Sequence, residues 1–284
     1  MELASLDIRL SRTENLPSIS HVALEVLQKL DEKSVGLQDL EDLLAYDPAL
    51  TGKILKVANS AAYGVGEVSS LSRAVQLLGL GALKRLVIGV AFQQSIFEEL
   101  DSHAFSKVEF WKHSYAVASL SKRLSQDLGI GRPDELFTAG MMHDMGHLVI
   151  ERFAFAHCRA SFALAMRDQM YIVDAEARVL GWSHTDAGAS LARKWSLPKL
   201  VENAMQYHHA PGMDNESYTT TCLVSVADSL AYLAGFTNSM TFLPTEPDPI
   251  ALIELNIDLA EKGPELMEYA VAEVIKAQEM FGVF

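Results

Sequence analysis

The sequence predicts an all-α protein. Apolar residues recur three and four positions apart along most of the chain, which is the repeat of a helix with one buried face. Strand-like alternation of apolar and polar residues never persists for more than a few positions. Helix start signals agree, as at Asp47-Pro48, where a capping aspartate precedes a proline suited to the first helical turn.

The first third of the chain contains five predicted helices. Val22, Val26 and Leu30 mark the apolar face of a helix over residues 18–30, and a similar repeat covers residues 37–46. Asp47-Pro48 opens a helix that continues to residue 59, and a polar, glycine-containing loop follows at residues 63–70. Gly79-Leu80-Gly81 then separates a helix over 71–78 from a long helix over 82–100.

Two breaks in the apolar pattern predict the domain organisation. Acidic and small residues at 100–106 indicate a subdomain boundary, and the proline-containing segment 237–249 indicates a loop before a last helix that ends near Phe284. We therefore predict an N-terminal helical subdomain at 1–103, a helical core at 104–236, and a loop with a C-terminal helix at 237–284.

Composition limits the class of protein. Hydrophobic residues make up 49% of the 284 positions and charged residues 21%, as in a soluble globular protein. A net charge of -14 argues against nonspecific nucleic-acid binding, which needs basic residues for phosphate. The uncharged apolar run at 86–97 is too short to span a bilayer, and the N-terminus has no signal-peptide pattern, so we expect a cytoplasmic protein without membrane contact. Cys158 and Cys222 are expected to be reduced core residues.

Residues of metal-binding type recur through the second half of the chain. Imidazole and carboxylate groups are the ligands that Zn, Fe, Mn and Ni share, and more than four of them suit a pair of metals with a bridging carboxylate. The series is His113, His143, Asp144, His184, His208, His209 and Asp228.

Helical periodicity places several of these residues on buried faces. His113 begins an apolar stripe on one helix, and His143 shares a predicted helix face with His147. His184 follows Ser183, which forms a predicted capping box with Asp186. Each residue alone is more typical of a hydrogen-bonded core position, or of an ion pair for Asp228. The seven together favour a metal site.

The chain resembles the HD superfamily of metal-dependent phosphohydrolases, named after the doublet present here as His143-Asp144. Further motifs are similar to the HDOD family over about residues 16–211, which implies a helical HD core preceded by a helical subdomain. These motifs are Asn59-Ser60-Ala61-Ala62-Tyr63-Gly64, Leu71-Ser72-Arg73-Ala74-Val75, Leu77-Leu78-Gly79, Trp111-Lys112-His113-Ser114, residues 140–148 and Trp195-Ser196-Leu197-Pro198.

The ligand set is similar to that of the HD-GYP branch of cyclic-di-GMP phosphodiesterases. That resemblance implies a first metal held by His113, His143, Asp144 and Asp228, and a second held by His184, His208 and His209, with Asp144 bridging. Two departures weigh against that activity: residues 210–214 replace the Gly-Tyr-Pro segment, and His147 stands at the usual lysine. An alternative is chelation of one metal by His143 and His147, which are four residues apart.

Two functions follow from the resemblance. The first is a signalling output module whose metals, if bound, brace the helical core, with a protein partner or a nucleotide second messenger on the N-terminal helices and the loop at 65–70. The alternative is a metal-dependent phosphohydrolase acting on a nucleotide or cyclic dinucleotide, with Asp144 and His147 as catalytic residues and Lys112 as a helper. The cofactor in either case is a divalent metal, Fe, Mn, Ni or Zn, with two ions expected.

Overall fold

Helices are the only regular structure in the part of the chain that the computed structural model describes. That part comprises residues 3–6, 21–30, 36–59, 68, 70–97, 105–241, 243 and 246–284. The all-α prediction is therefore confirmed. The helices after residues 3–6 are α1 His21–Leu30, α2 Leu37–Ala45, α3 Pro48–Ala58, α4 Leu71–Phe97, α5 Lys107–Leu128, α6 Pro133–Met142, α7 Met145–Asp168, α8 Ile172–Leu180, α9 His184–Lys194, α10 Lys199–Tyr207, α11 Tyr218–Leu233, α12 Pro249–Glu254 and α13 Leu259–Phe281, with a 3-10 turn at Pro211–Met213.

The chain divides into two compact units. The larger unit contains residues 1–17 and 100–274, and the smaller unit contains residues 18–99 and 275–284. The last helix, α13, contributes residues to both. The three-part division at residues 103 and 236 stays a prediction, and the proposed break at 100–106 lies largely outside the described residues.

Local signals in the smaller unit have the predicted effect. The Asp47 side chain accepts a hydrogen bond from the backbone N–H of Leu50 at 3.0 Å, which caps α3. Gly79 adopts a φ of 74° inside α4 and interrupts its helical geometry, a conformation that favours glycine. The Asn59 side chain joins the end of α3 to Val68, whose N–H it accepts at 2.7 Å. The remainder of the motif that begins at Asn59, and most of the loop at 63–70, lie outside the described residues.

Close helix packing builds the core of the larger unit. A Cβ on Gly140 of α6 would lie 2.9 Å from the backbone of Ala118 in α5, so only glycine permits this approach. A Cβ on Gly146 of α7 would overlap the backbone carbonyl of His184 and lie 2.8 Å from the amide nitrogen of Gly188, so α9 approaches α7 even more closely. These contacts bring together the helices that carry or flank His113, His143 and His184.

The structure corrects three details. The predicted helix through His143 and His147 is two helices, because α6 ends at Met142 and α7 begins at Met145. Two helices, α12 and α13, follow the loop at 237–249 where one was expected. The apolar run at 86–97 belongs to a longer helix, Ser72–Phe97, whose length and composition would suffice to cross a membrane, but 61% of its apolar window is buried, as in a core helix.

Candidate metal centre

The structure brings all seven side chains of the predicted ligand series together in the larger unit. His113 comes from α5, the His143-Asp144 pair lies between α6 and α7, and His184 is the first residue of α9. His208 and His209 follow α10, and Asp228 lies on α11. All are buried except His209, which is half-buried. Their assignment as metal ligands stays a prediction.

A first ligand group consists of His113, His143 and Asp228. The Nε2 atoms of the two histidines are 3.4 Å apart. The Oδ1 atom of Asp228 lies 3.1 Å from Nε2 of His113 and 3.6 Å from Nε2 of His143. Within a metal shell whose bonds are about 2.0–2.2 Å long, neighbouring ligand atoms are about 3.0–3.5 Å apart. The spacing of the first group therefore suits a shared ion.

Backbone hydrogen bonds fix the orientation of both imidazoles in the first group. Nδ1 of His113 lies 3.0 Å from the carbonyl oxygen of Phe236, and Nδ1 of His143 lies 2.8 Å from that of Gly140. Since a carbonyl can only accept, each Nδ1 carries a proton, and Nε2 is the ring atom that each histidine directs toward the other members of the group. Asp228 Oδ1 accepts no hydrogen bond from the described residues. Such an arrangement needs a cation, either a proton or a metal ion.

A second ligand group consists of Asp144, His184, His208 and His209. Oδ1 of Asp144 lies 3.7 Å from Nε2 of His184 and 3.5 Å from Nε2 of His208. Nε2 of His209 lies 3.1 Å from Nε2 of His184. His208 donates through Nδ1 to the carbonyl of Ala204 at 3.0 Å, and its Nε2 has no partner among the described residues. The side-chain nitrogen and oxygen atoms of this group therefore converge on a common point, as metal ligands do.

Asp144 faces both groups at once. Its Oδ2 lies 3.4 Å from Nε2 of His143 and 3.7 Å from Nε2 of His113, whereas its Oδ1 faces His184 and His208. Asn238 donates from Nδ2 to Oδ2 at 2.7 Å and holds the carboxylate in place. A carboxylate with one oxygen directed toward each of two ligand groups has the geometry of a bridging ligand.

A third group of His147, Glu176 and His184 is better explained as a hydrogen-bond network than as a metal site. Oε2 of Glu176 accepts both the backbone N–H of His184, at 2.8 Å, and its Nδ1–H, at 2.7 Å. Oε1 of Glu176 lies 3.3 Å from Nδ1 of His147, whose ring stacks on that of His184 at 3.9 Å. Glu176 thereby orients two imidazoles so that both Nε2 atoms face the second group.

Charge and burial produce large pKa shifts in this cluster. Burial opposes a charge on His143, but Asp144 and Asp228 outweigh it and raise the His143 pKa to about 10. Burial also opposes the charge of Asp144, and the neighbouring histidines nevertheless hold the pKa of its carboxyl well below the usual value. Burial, then His208 and His184, lower the pKa of His209. Without metal, the cluster therefore keeps its carboxylates ionised and neutralises them with protonated imidazole.

Two residues of the centre were missed in the sequence. Glu176 lies on the buried face of α8 with Ile172 and Leu180, four residues away on either side, and a carboxylate on such a face was a detectable signal. Asn238 lies in a segment with no periodic pattern, so nothing in its sequence context indicated that it would contact Asp144. His147 is buried, and its Nε2 lies 3.9 Å from Oδ1 of Asp144. The structure does not pair His147 with His143 in one ligand group.

Comparison with known proteins agrees with this architecture. The HDOD domain model matches residues 16–211. An uncharacterized protein of Treponema pallidum (strain Nichols) is 26% identical over 205 residues, which are 70% of this chain and 38% of that protein. Ribonuclease Y of Aquifex aeolicus (strain VF5) is 29% identical over 119 residues, 42% of this chain and 16% of the enzyme. The chain thus spans well under half the length of these relatives.

Solved structures show the same fold. An HDOD domain protein of unknown function from Geobacter sulfurreducens superposes with a TM-score of 0.75 at 23% identity, covering 98% of this chain and 93% of that one. A proposed phosphohydrolase from Shewanella amazonensis SB2B gives a TM-score of 0.74 at 24% identity, with coverages of 96% and 97%. Because the family model covers more than half of the sequence, the chain belongs to the HDOD family.

Proposed function

We propose that this protein is a regulatory module whose HD core binds two divalent metal ions and, through them, a phosphate group. The observation that carries the proposal is the orientation of the Asp144 carboxylate. Each of its two oxygens faces a separate set of imidazole nitrogens, at distances of 3.4–3.7 Å. His113, His143 and Asp228 would hold the first ion, and His184, His208 and His209 the second. The metal is one that accepts mixed nitrogen and oxygen ligands, such as Fe, Mn, Ni or Zn.

The bound metals would polarise phosphoryl oxygens and lower the pKa of a bound water. The residues of this chain prepare the site for that chemistry. Backbone carbonyls and Glu176 hold the imidazole protons away from the centre, so that the Nε2 atoms of His113, His143, His184 and His208 present lone pairs. Asn238 fixes the bridging carboxylate.

Metal analysis of ligand variants tests the two-ion arrangement directly. We expect two equivalents of transition metal in the loaded protein, one in His113→Ala, one in His208→Ala and none in Asp144→Ala, because Asp144 is the one residue of the described ligand groups that faces both. His157→Ala is the matched control, since His157 lies on α7 outside the ligand groups. Metal content below a few tenths of an equivalent in the wild-type protein, or equal loss in His157→Ala, would contradict the proposal.

A signalling role is supported by family membership and by the fold shared with a proposed signal transduction protein of Marinobacter aquaeolei VT8, at a TM-score of 0.76 and 20% identity. In this role the metals brace the core, because metal affinity adds to the free energy of folding. A chelator should then lower the melting temperature of the wild-type protein but not that of Asp144→Ala. A signalling protein or a nucleotide second messenger would be the partner, in the cytoplasm.

Phosphoester hydrolysis is the second candidate, and one specific observation favours it. Nε2 of His147 is buried, has no hydrogen-bond partner among the described residues, and lies 3.9 Å from Oδ1 of Asp144. It could therefore exchange a proton with a group bound at the second metal. Turnover of nucleotides or generic phosphoesters that disappears in His147→Gln, with metal content unchanged, would support catalysis. If the fully metal-loaded wild-type protein shows no turnover, catalysis is excluded for these substrates and the regulatory module is the function that stands.

A further inference from the structure

A cavity of about 440 Å³ lies beside the metal centre in the larger unit. Two of its lining residues, His147 and Glu176, also contact the metal-centre side chains Asp144 and His184. Its volume is within the range of about 300–1,000 Å³ that is typical of small-molecule sites. A molecule bound in the cavity would therefore lie next to a phosphate held at the second ligand group.

The wall of the cavity is aromatic and apolar. Phe155, Phe162 and Met166 are spaced seven and four residues apart on α7, so they share one helix face. Phe155 and Met166 remain 44% and 45% exposed, which leaves a phenyl ring and a thioether available to a ligand. Ile172 and Met240 add apolar groups from α8 and from the segment after α11.

The wall is preformed by packing behind it. Ala154 departs from helical geometry, with φ of -141° and ψ of 38°, and separates the segment that carries the phenyl rings from the first turns of α7. That segment packs through Ala165 against Ile172 and Ala175 of α8 in a small buried cluster. The lining side chains therefore project from an anchored helix, as a binding site requires.

Charge on the lining selects the kind of ligand. Among the described lining residues, Arg159 is the one side chain with a permanent positive charge. It lies four residues from Phe155 and three from Phe162, on the same part of α7. A guanidinium group binds phosphate oxygens and also stacks on planar rings. Glu176, the lining carboxylate, already accepts hydrogen bonds from His184, so the guanidinium beside aromatic side chains favours an anionic ligand with a planar ring.

We propose that the cavity binds the nucleoside part of a mononucleotide, with the base against Phe155 and Phe162 while the phosphate reaches the metal pair past His147. The inference rests on the proposed metal centre and names the ligand class for it. One aromatic wall and one arginine match one nucleotide. A cyclic dinucleotide would bring a second base and a second phosphate for which the described lining has no counterpart.

Calorimetric titration of the manganese-loaded full chain tests the inference with two probes, inorganic phosphate and adenosine 5′-monophosphate. Stacking of one base on an aromatic side chain changes affinity by roughly 5- to 150-fold. We expect adenosine 5′-monophosphate to bind more tightly than phosphate by such a factor, and Phe155→Ala and Phe162→Ala to remove the difference without altering phosphate affinity. Because Phe155 is half-exposed, its variant should fold even if Phe162→Ala does not.

Matched controls separate the cavity from general effects. Arg159→Ala should weaken nucleotide binding, whereas Arg167→Ala should not. Arg167 is an exposed arginine on the same helix and pairs with Asp168. Equal affinity for the two probes, or nucleotide binding that both phenylalanine variants leave unchanged, would overturn the cavity inference while the metal proposal stands. If neither probe binds the metal-loaded protein, the proposed phosphate site fails, and the inference fails with it.

Discussion

Replacing Gly146 with alanine should both destabilise the protein and disturb the metal centre. A Cβ at this position would overlap the carbonyl oxygen of His184, and it would lie 2.7 Å from the carbonyl carbon of His184 and 2.8 Å from the amide nitrogen of Gly188. Carbon contacts normally need about 3.5–4.0 Å, so α9 would have to move by about 1 Å. No side-chain rotation can relieve the overlap, because all three atoms belong to the backbone.

The size of the effect follows from this displacement. Overpacking of a core costs about 1–3 kcal/mol, and a clash with backbone belongs at the upper end. For a unit of this size, each kcal/mol lowers the melting temperature by about 2–4 °C, so we expect a decrease of about 6–12 °C in Gly146→Ala. The displaced backbone atoms belong to His184, the first residue of α9. Metal affinity at the second ligand group, which contains His184, should therefore fall as well.

Thermal unfolding and metal analysis of Gly146→Ala, with Gly52→Ala as the control, give the test. A Cβ on Gly52, in the middle of α3, has no neighbour within 4 Å, so alanine there should be neutral or should stabilise the helix by about 0.5–1 kcal/mol. A Gly146→Ala protein with the melting temperature and metal content of the wild type would refute the close packing of α7 on α9.

Three other perturbations have distinct expected outcomes. Glu176→Gln should weaken metal binding by about 10- to 100-fold in a chelator competition, with little change in fold. The reason is that an amide cannot accept both protons that Glu176 now accepts from His184 and His147, and unchanged affinity would contradict its orienting role. Metal affinity should rise with pH up to about 10, because the raised pKa of His143 means that a proton must leave before a metal can bind. Calorimetry in buffers of different ionisation enthalpy measures that proton release, and pH-independent binding would argue against His143 as a ligand. Ser106→Ala should cost about 1 kcal/mol in urea unfolding while metal content stays the same, since Ser106 caps only the start of α5; a loss of metal would show that this cap also controls the position of His113.

Much of the fold was predictable because local chemistry and burial agreed. The capping box of Ser183 and Asp186 is present at the start of α9, and Asp47-Pro48 begins α3 as expected. Both signals depend on hydrogen bonds within four residues, which a sequence displays directly. The convergence of the seven candidate ligands followed from the same reasoning, because polar residues on buried helix faces need partners.

The features that could not be predicted from the sequence depend on tertiary contacts. The end of α6 at Met142 was missed because the apolar repeat continues through His143 and His147 as though one helix were present. Glu176 acts on His184 across eight residues and two helices, and Asn238 reaches Asp144 from 94 positions away. The cavity beside His147 arises from the packing of α7 on α8, which no spacing rule describes.

The interruption between α6 and α7 gives the His143-Asp144 doublet a mechanical importance. Adjacent residues on one continuous helix would project about 100° apart, whereas a junction between two helices lets both turn toward a common centre. In the proposed two-metal centre, ions held by this doublet would also fix the angle between α6 and α7, because both ligands lie at the junction of the two helices.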